Sequence, residues 1–113
     1  MNRRAALRWL ALCLVAGCVE ADGPAEPVWG KQACAYCAMI LSDRRFGAQL
    51  VTESGDRLYF DDVGCMVLAI DERALGTPRA WVRDATAGRW LDARAARYVS
   101  PAPSPMDFGF EAR

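Results

Sequence analysis

The sequence predicts a small α+β domain built from two related ββα units, the second of them incomplete. Three observations lead there. Short runs rich in strand formers come in pairs separated by glycine-containing turns. One stretch with helical spacing follows the first pair, and a similar pair begins again downstream. A chain of 113 residues has room for one such domain and not for a large core.

The first element is a leader. Arg3, Arg4 and Arg8 precede the apolar run Trp9 to Gly17, which is shorter than the roughly 20 residues needed to cross a bilayer. It ends in Leu14-Val15-Ala16-Gly17-Cys18, small residues directly before a cysteine, as in a lipobox. Residues 1–17 therefore read as a lipoprotein signal peptide, with cleavage before Cys18 and lipid on its sulfur. Residues 18–32 carry Gly23, Pro24, Pro27 and scattered acids without hydrophobic periodicity, and are expected to be a flexible tether. The domain proper is expected over 33–113.

Within it, Ala48 to Thr52 reads as a strand, Glu53-Ser54-Gly55-Asp56 as a turn and Arg57 to Phe60 as the return strand. Asp61 or Asp62 then caps a helix to about Leu75, with Val63, Val67 and Ile70 on its inner face and Gly76-Thr77-Pro78 as the stop. The second unit has strands at Ala80–Asp84 and Arg89–Asp92 around a turn at Ala85–Gly88, followed by a single helical turn up to Arg97. Ser100 to Pro105 is an extended proline-rich connector. Met106 to Phe110 reads as a strand-like end. Tyr59, Phe60, Trp81 and Trp90 are assigned to the sheet faces and core.

Charge and sulfur bound the function. Three of the 14 basic residues leave with the signal, so 11 face 14 acidic ones, which is no electrostatic footprint for nucleic acid. The chain contains no histidine. That removes the usual base of a Cys–His nucleophile and the imidazole that catalytic zinc, cupric and non-haem iron sites usually recruit. Cys13 goes with the signal and Cys18 with the anchor, leaving Cys34, Cys37 and Cys65. An odd number of thiols in an oxidising compartment points to a reactive or metal-binding cysteine.

Cys34-Ala35-Tyr36-Cys37-Ala38-Met39 places two thiols and a thioether in six residues, and such soft donors suit Cu(I). Three other readings of the pair stand beside this one. It can close a disulfide, act as a thiol–disulfide redox pair, or hold a structural zinc with Cys65 and a carboxylate; a structural adaptor would use neither thiol. Met39 lies two residues from Cys37, and Met106 sits beside prolines rather than in a periodic apolar run, although either can fill a core gap. Cys65 lies in the first helical turn, where the dipole favours thiolate; a buried neutral thiol is the alternative.

The motifs CAYCAM (34–39), Arg45-Phe46-Gly47-Ala48-Gln49, Phe60-Asp61-Asp62-Val63-Gly64-Cys65-Met66, Trp81-Val82-Arg83-Asp84 and Ser104-Pro105-Met106 fall in one order. This order resembles the NosL family, outer-membrane-type lipoproteins that accompany nitrous oxide reductase and handle copper for its maturation. The resemblance spans residues 33 to 113. It implies the fold of two ββα units and a Cu(I) site built from cysteine and methionine sulfur: Cys34, Cys37, Met39 and Met106, with Cys65 beside them. It also implies a non-enzymatic metallochaperone on the periplasmic side of a membrane, passing copper to an acceptor enzyme or its maturation transporter. Val19 after Cys18 is not an aspartate-type retention signal, which favours the outer membrane. Three departures stand out. Ala38 replaces the glycine usual in CxxCGM, Asp107 follows Met106 where glycine is common, and the helix and closing strand that commonly follow are missing. The second unit is accordingly expected to be shortened, with apolar surface open near Phe108 and Phe110.

Overall fold

The computed structural model describes residues 23–100 and 103–113. The expected signal peptide and Cys18 lie outside them, as do Pro101 and Ala102 of the connector. No helix among the described residues is long and apolar enough to cross a membrane.

The first unit forms as its sequence directs. Strand β1 (Ala48–Val51) pairs antiparallel with β2 (Arg57–Phe60), and α1 (Val63–Glu72) follows. Asp62 is the N-cap: its side chain accepts the Gly64 N–H at 3.1 Å. The helix ends three residues before the expected Leu75. Arg73 caps it and Ala74 turns left-handed at φ 51°, so the chain breaks before the Gly76 stop is reached.

The second unit supplies β3 (Arg79–Arg83) and β4 (Trp90–Asp92). Between them Asp84 accepts the N–H groups of Thr86 and Ala87, both at 2.9 Å, and Gly88 takes φ 70°. Asp92 then accepts the Arg94 N–H at 2.9 Å, but the turn it caps does not extend into a helix. The antiparallel sheet runs β2-β1-β3-β4. A two-stranded ladder of β5 (Tyr98–Val99) and β6 (Glu111–Ala112) returns the C-terminus to the end of β3. The described residues thus form a small α+β domain with one α-helix.

Register separates the two sheet faces. Phe60, Ala48, Val82 and Leu91 line up across the four strands, with Leu58, Leu50 and Ala80 in the next row. Against these pack Val63, Cys65, Met66 and Ala69 of α1. Val67, expected on the inner face, is 55% exposed. The sheet takes up the Met66 side of the helix instead, and Val67 borders an apolar groove of about 450 Å³ shared with Ile70, Ala80, Tyr98 and Phe110. Phe110 is open, as expected, whereas Phe108 is half-buried over Gly64.

Two further expectations give way. Met106–Phe110 is a turn rather than a strand: Asp107 takes φ 62° and Gly109 φ 78°, and extended pairing starts only at Glu111. The described part of the tether is packed. Gln49, fully buried on the outer sheet face, exchanges two 3.0 Å hydrogen bonds with the Ala25 backbone, and Arg57 donates to the Gly23 carbonyl at 2.6 Å. Pro27 is buried and Trp29 lies against Gly47. Residues 23–32 are a strap over the sheet, packed against it rather than loose.

Candidate metal centre

A narrow hairpin carries the dicysteine motif. Gly30 N–H donates to the Leu41 carbonyl and Leu41 N–H to the Gln32 carbonyl, both at 2.8 Å, and Cys34 N–H donates to the Met39 carbonyl at 2.7 Å. The tip, residues 35–38, is a non-helical turn closed by Ala38 N–H on the Cys34 carbonyl at 3.1 Å. Ala38 takes φ 64°, a left-handed conformation that suits glycine. The hairpin is pinned from two sides. Ala35 N–H donates to the Tyr59 carbonyl of β2 at 2.8 Å, and Tyr36 Oη–H donates to Glu72 of α1 at 3.0 Å.

This clamp sets the hairpin tip against the start of α1. The Sγ atoms of Cys34, Cys37 and Cys65 all lie within 4.8 Å of one another. A trigonal ion with metal–sulfur bonds near 2.3 Å needs its sulfurs roughly 4.0 Å apart, so modest side-chain rotation completes the triangle. Cys34 and Cys65 are buried at 3% and 0% exposure, while Cys37 is half-buried. All three thiols are free.

Burial and backbone N–H groups shift the three thiols in different directions. Burial works against a Cys34 thiolate, but the N–H groups of Cys37, Asp61 and Tyr36 outweigh it and hold its pKa below the ordinary thiol value. Burial raises Cys37, opposed in part by the Met39 N–H and reinforced by neighbouring Cys34. Burial pushes Cys65 far up, and the nearby Cys34 and Cys37 add to the effect. Cys34 is thus the thiol that ionises most readily, and Cys37 and Cys65 hold their protons more tightly. A CxxC turn whose amides point at sulfur is arranged to hold metal-bound thiolate.

Comparison with protein-family models, curated proteins and solved structures finds no match. What the site can do is therefore argued from its own geometry. Three cysteines converge and can hold a metal ion, and among the described residues the cluster comprises these three alone.

The two methionines are both exposed. Met39 follows Cys37 by two residues and is 47% exposed; Met106 is 38% exposed, and its N–H donates to Asp62 at 3.1 Å beside the first turn of α1. Neither is a core residue, whereas Met66 is. The aspartates also differ from a simple pair of caps. Asp61 is buried, accepts the Ser42 N–H at 3.4 Å, and turns its own N–H towards Cys34. Asp62 caps the helix and also holds the Ser104–Met106 loop. Only the Phe-Asp-Asp run before the helix signalled these residues, and it signalled capping alone.

Proposed function

We propose that this protein is a membrane-anchored periplasmic metallochaperone that binds Cu(I) and delivers it for assembly of nitrous oxide reductase. The convergence of three thiols in a chain without histidine carries the metal part of this reading. The ordered motifs shared with the NosL family support the destination, and Leu14 to Cys18 supports the anchor. Cu(I) is satisfied by two or three soft ligands. Cys34, Cys37 and Cys65 supply charge, and the exposed thioethers of Met39 and Met106 supply neutral ligands that do not titrate. A half-open site lets a ligand of the acceptor enzyme, or of its maturation transporter, bind before the old ones leave, so copper is never free. Holding the donor at a membrane surface raises its effective concentration near a membrane-bound acceptor.

The deciding experiment is anaerobic titration of the reduced protein against a chromogenic Cu(I) chelator, with native mass spectrometry. One Cu(I) per chain and much weaker Zn(II) binding are expected. No transfer from chelator to protein would refute the reading.

A thiol–disulfide function is the second reading, and the lowered Cys34 beside a raised Cys37 favours it. It predicts catalytic turnover with a disulfide substrate, lost in Cys34→Ser. The hairpin setting of the pair, away from any helix N-terminus, weighs against it.

A further inference from the structure

We infer that Asp62, acting with Ser104, is the positioning residue that holds Met106 at the metal centre. This rests on the reading of Met106 as a copper ligand. Capping α1 occupies only one oxygen of Asp62, the Oδ1 that accepts the Gly64 N–H. Serine, threonine or asparagine would cap as well, and a fully buried carboxylate is costly unless its lone pairs are used. Its second oxygen is used on a loop 42 and 44 residues away. Oδ2 accepts the Ser104 hydroxyl and, at 3.1 Å, the Met106 N–H.

The loop is closed around the same serine. Buried Ser104 Oγ accepts the Gly109 N–H at 2.7 Å, and the Ser104 carbonyl accepts the Asp107 N–H at 2.8 Å. A second attachment is apolar: the Phe108 ring lies on Gly64, so close that a Cβ there would come within 2.1 Å of it. Both attachments fall on the first turn of α1, the turn that carries Cys65. Between them the Met106 side chain is left 38% exposed, without core packing to fix it. A thioether is a weak neutral ligand, so its contribution depends on being held where the ion arrives. Hydrogen bonds behind a ligand serve that purpose.

Asp62→Asn isolates the effect. It keeps the oxygen that caps Gly64 and replaces the other with an amide nitrogen that cannot accept the Met106 N–H. Ser104→Ala removes the hydroxyl and leaves the cap untouched. Cu(I) affinity is read by chelator competition on the reduced, full-length mature protein, with circular dichroism as the check on folding. Asp62→Asn and Ser104→Ala are each expected to weaken binding by about ten- to a hundredfold. Neither should weaken it further in a protein that already carries Met106→Leu. Unchanged affinity in folded Met106→Leu overturns both the thioether ligand and this inference. Loss in Met106→Leu without loss in the other two overturns the inference alone. So do losses that add in the double variants, because Asp62 would then act on something other than Met106. Should Asp62→Asn fail to fold, Ser104→Ala decides by the same criteria.

Discussion

Ala38 bears the backbone strain of the dicysteine hairpin. Its φ of 64° costs an L-residue about 1–2 kcal/mol, and glycine would relieve this while giving back some entropy in the unfolded chain. Ala38→Gly is therefore expected to stabilise the reduced protein by about 0.5–1 kcal/mol, less than the full strain, in denaturant unfolding. The N–H groups that point at sulfur stay in place, so Cu(I) affinity should not fall. The thiols make a second prediction at this scale. Metal takes thiolate, and burial together with neighbouring Cys34 and Cys37 keeps Cys65 protonated at neutral pH. Its proton must leave when metal binds, so affinity falls as pH falls, by about tenfold per pH unit for each proton displaced. Cys65→Ser should lower Cu(I) affinity and flatten that slope by one proton in titrations at several pH values. An unchanged slope would leave Cys34 and Cys37 as the only thiolate ligands. The candidate ligands were legible in the sequence because softness is a property of residue type. The Asp61 amide aimed at Cys34 could not be read there, since it follows from how the hairpin docks on β2.

At the scale of elements, α1 shows packing overriding propensity. Alanine is the better helix former by about 1 kcal/mol, yet a Cβ at Gly64 would approach three Phe108 ring atoms at 2.1, 2.4 and 2.5 Å. The ring belongs to a loop tied down at Ser104, so it has little freedom to retreat. Gly64→Ala is expected to destabilise the protein by about 1–3 kcal/mol in thermal or denaturant unfolding, the usual cost of overpacking. A stabilised variant would show that the loop is free to lift. Both hairpins were legible because their turns are marked locally, by Gly55 in the first and by Asp84 and Gly88 in the second. The face of α1 was less so. Val63, Val67 and Ile70 and the alternative Val63, Met66 and Ile70 both keep helical spacing, and only the sheet decides between them. Met106–Phe110 has the composition of a strand, but Asp62 and Gly64 bend it into a turn from more than forty residues away.

Across the whole molecule, the strap at 23–32 is what the sequence concealed, because side chains far along the chain hold it rather than any periodicity of its own. Glu26 is its fastener. Its carboxylate accepts Trp29 Nε1–H at 2.6 Å, Trp90 Nε1–H at 3.0 Å and Arg83 on both oxygens at 2.8 Å. Burial raises the Glu26 pKa, but these donors outweigh it and hold the pKa below 4.5. The stabilisation is thus complete above that ordinary value and is lost as pH falls through the lowered one. Arg83 is nearly buried, and its Nε has no hydrogen-bond partner among the described residues, so Glu26 is its main counter-charge. Because Glu26 is about half in solvent, Glu26→Ala should cost only about 1–2 kcal/mol. The larger effect should be local: faster tryptic cleavage after exposed Lys31 at neutral pH, and the same acceleration in the unmodified protein as pH is lowered past the Glu26 titration, read with an acid-tolerant protease. Copper stoichiometry should not change, since Glu26 bonds Trp29, Arg83 and Trp90 and none of the three thiols. In the anchored form proposed here, five residues from Cys18 to Gly23 reach at most about 17 Å, against about 50 Å for fifteen residues to Ala33. In that form a fastened strap would hold the domain close to the membrane, and Glu26→Ala should lengthen its reach in cross-linking to lipid head groups. Equal cross-linking and equal cleavage in the two proteins would show that Glu26 does not fasten the strap.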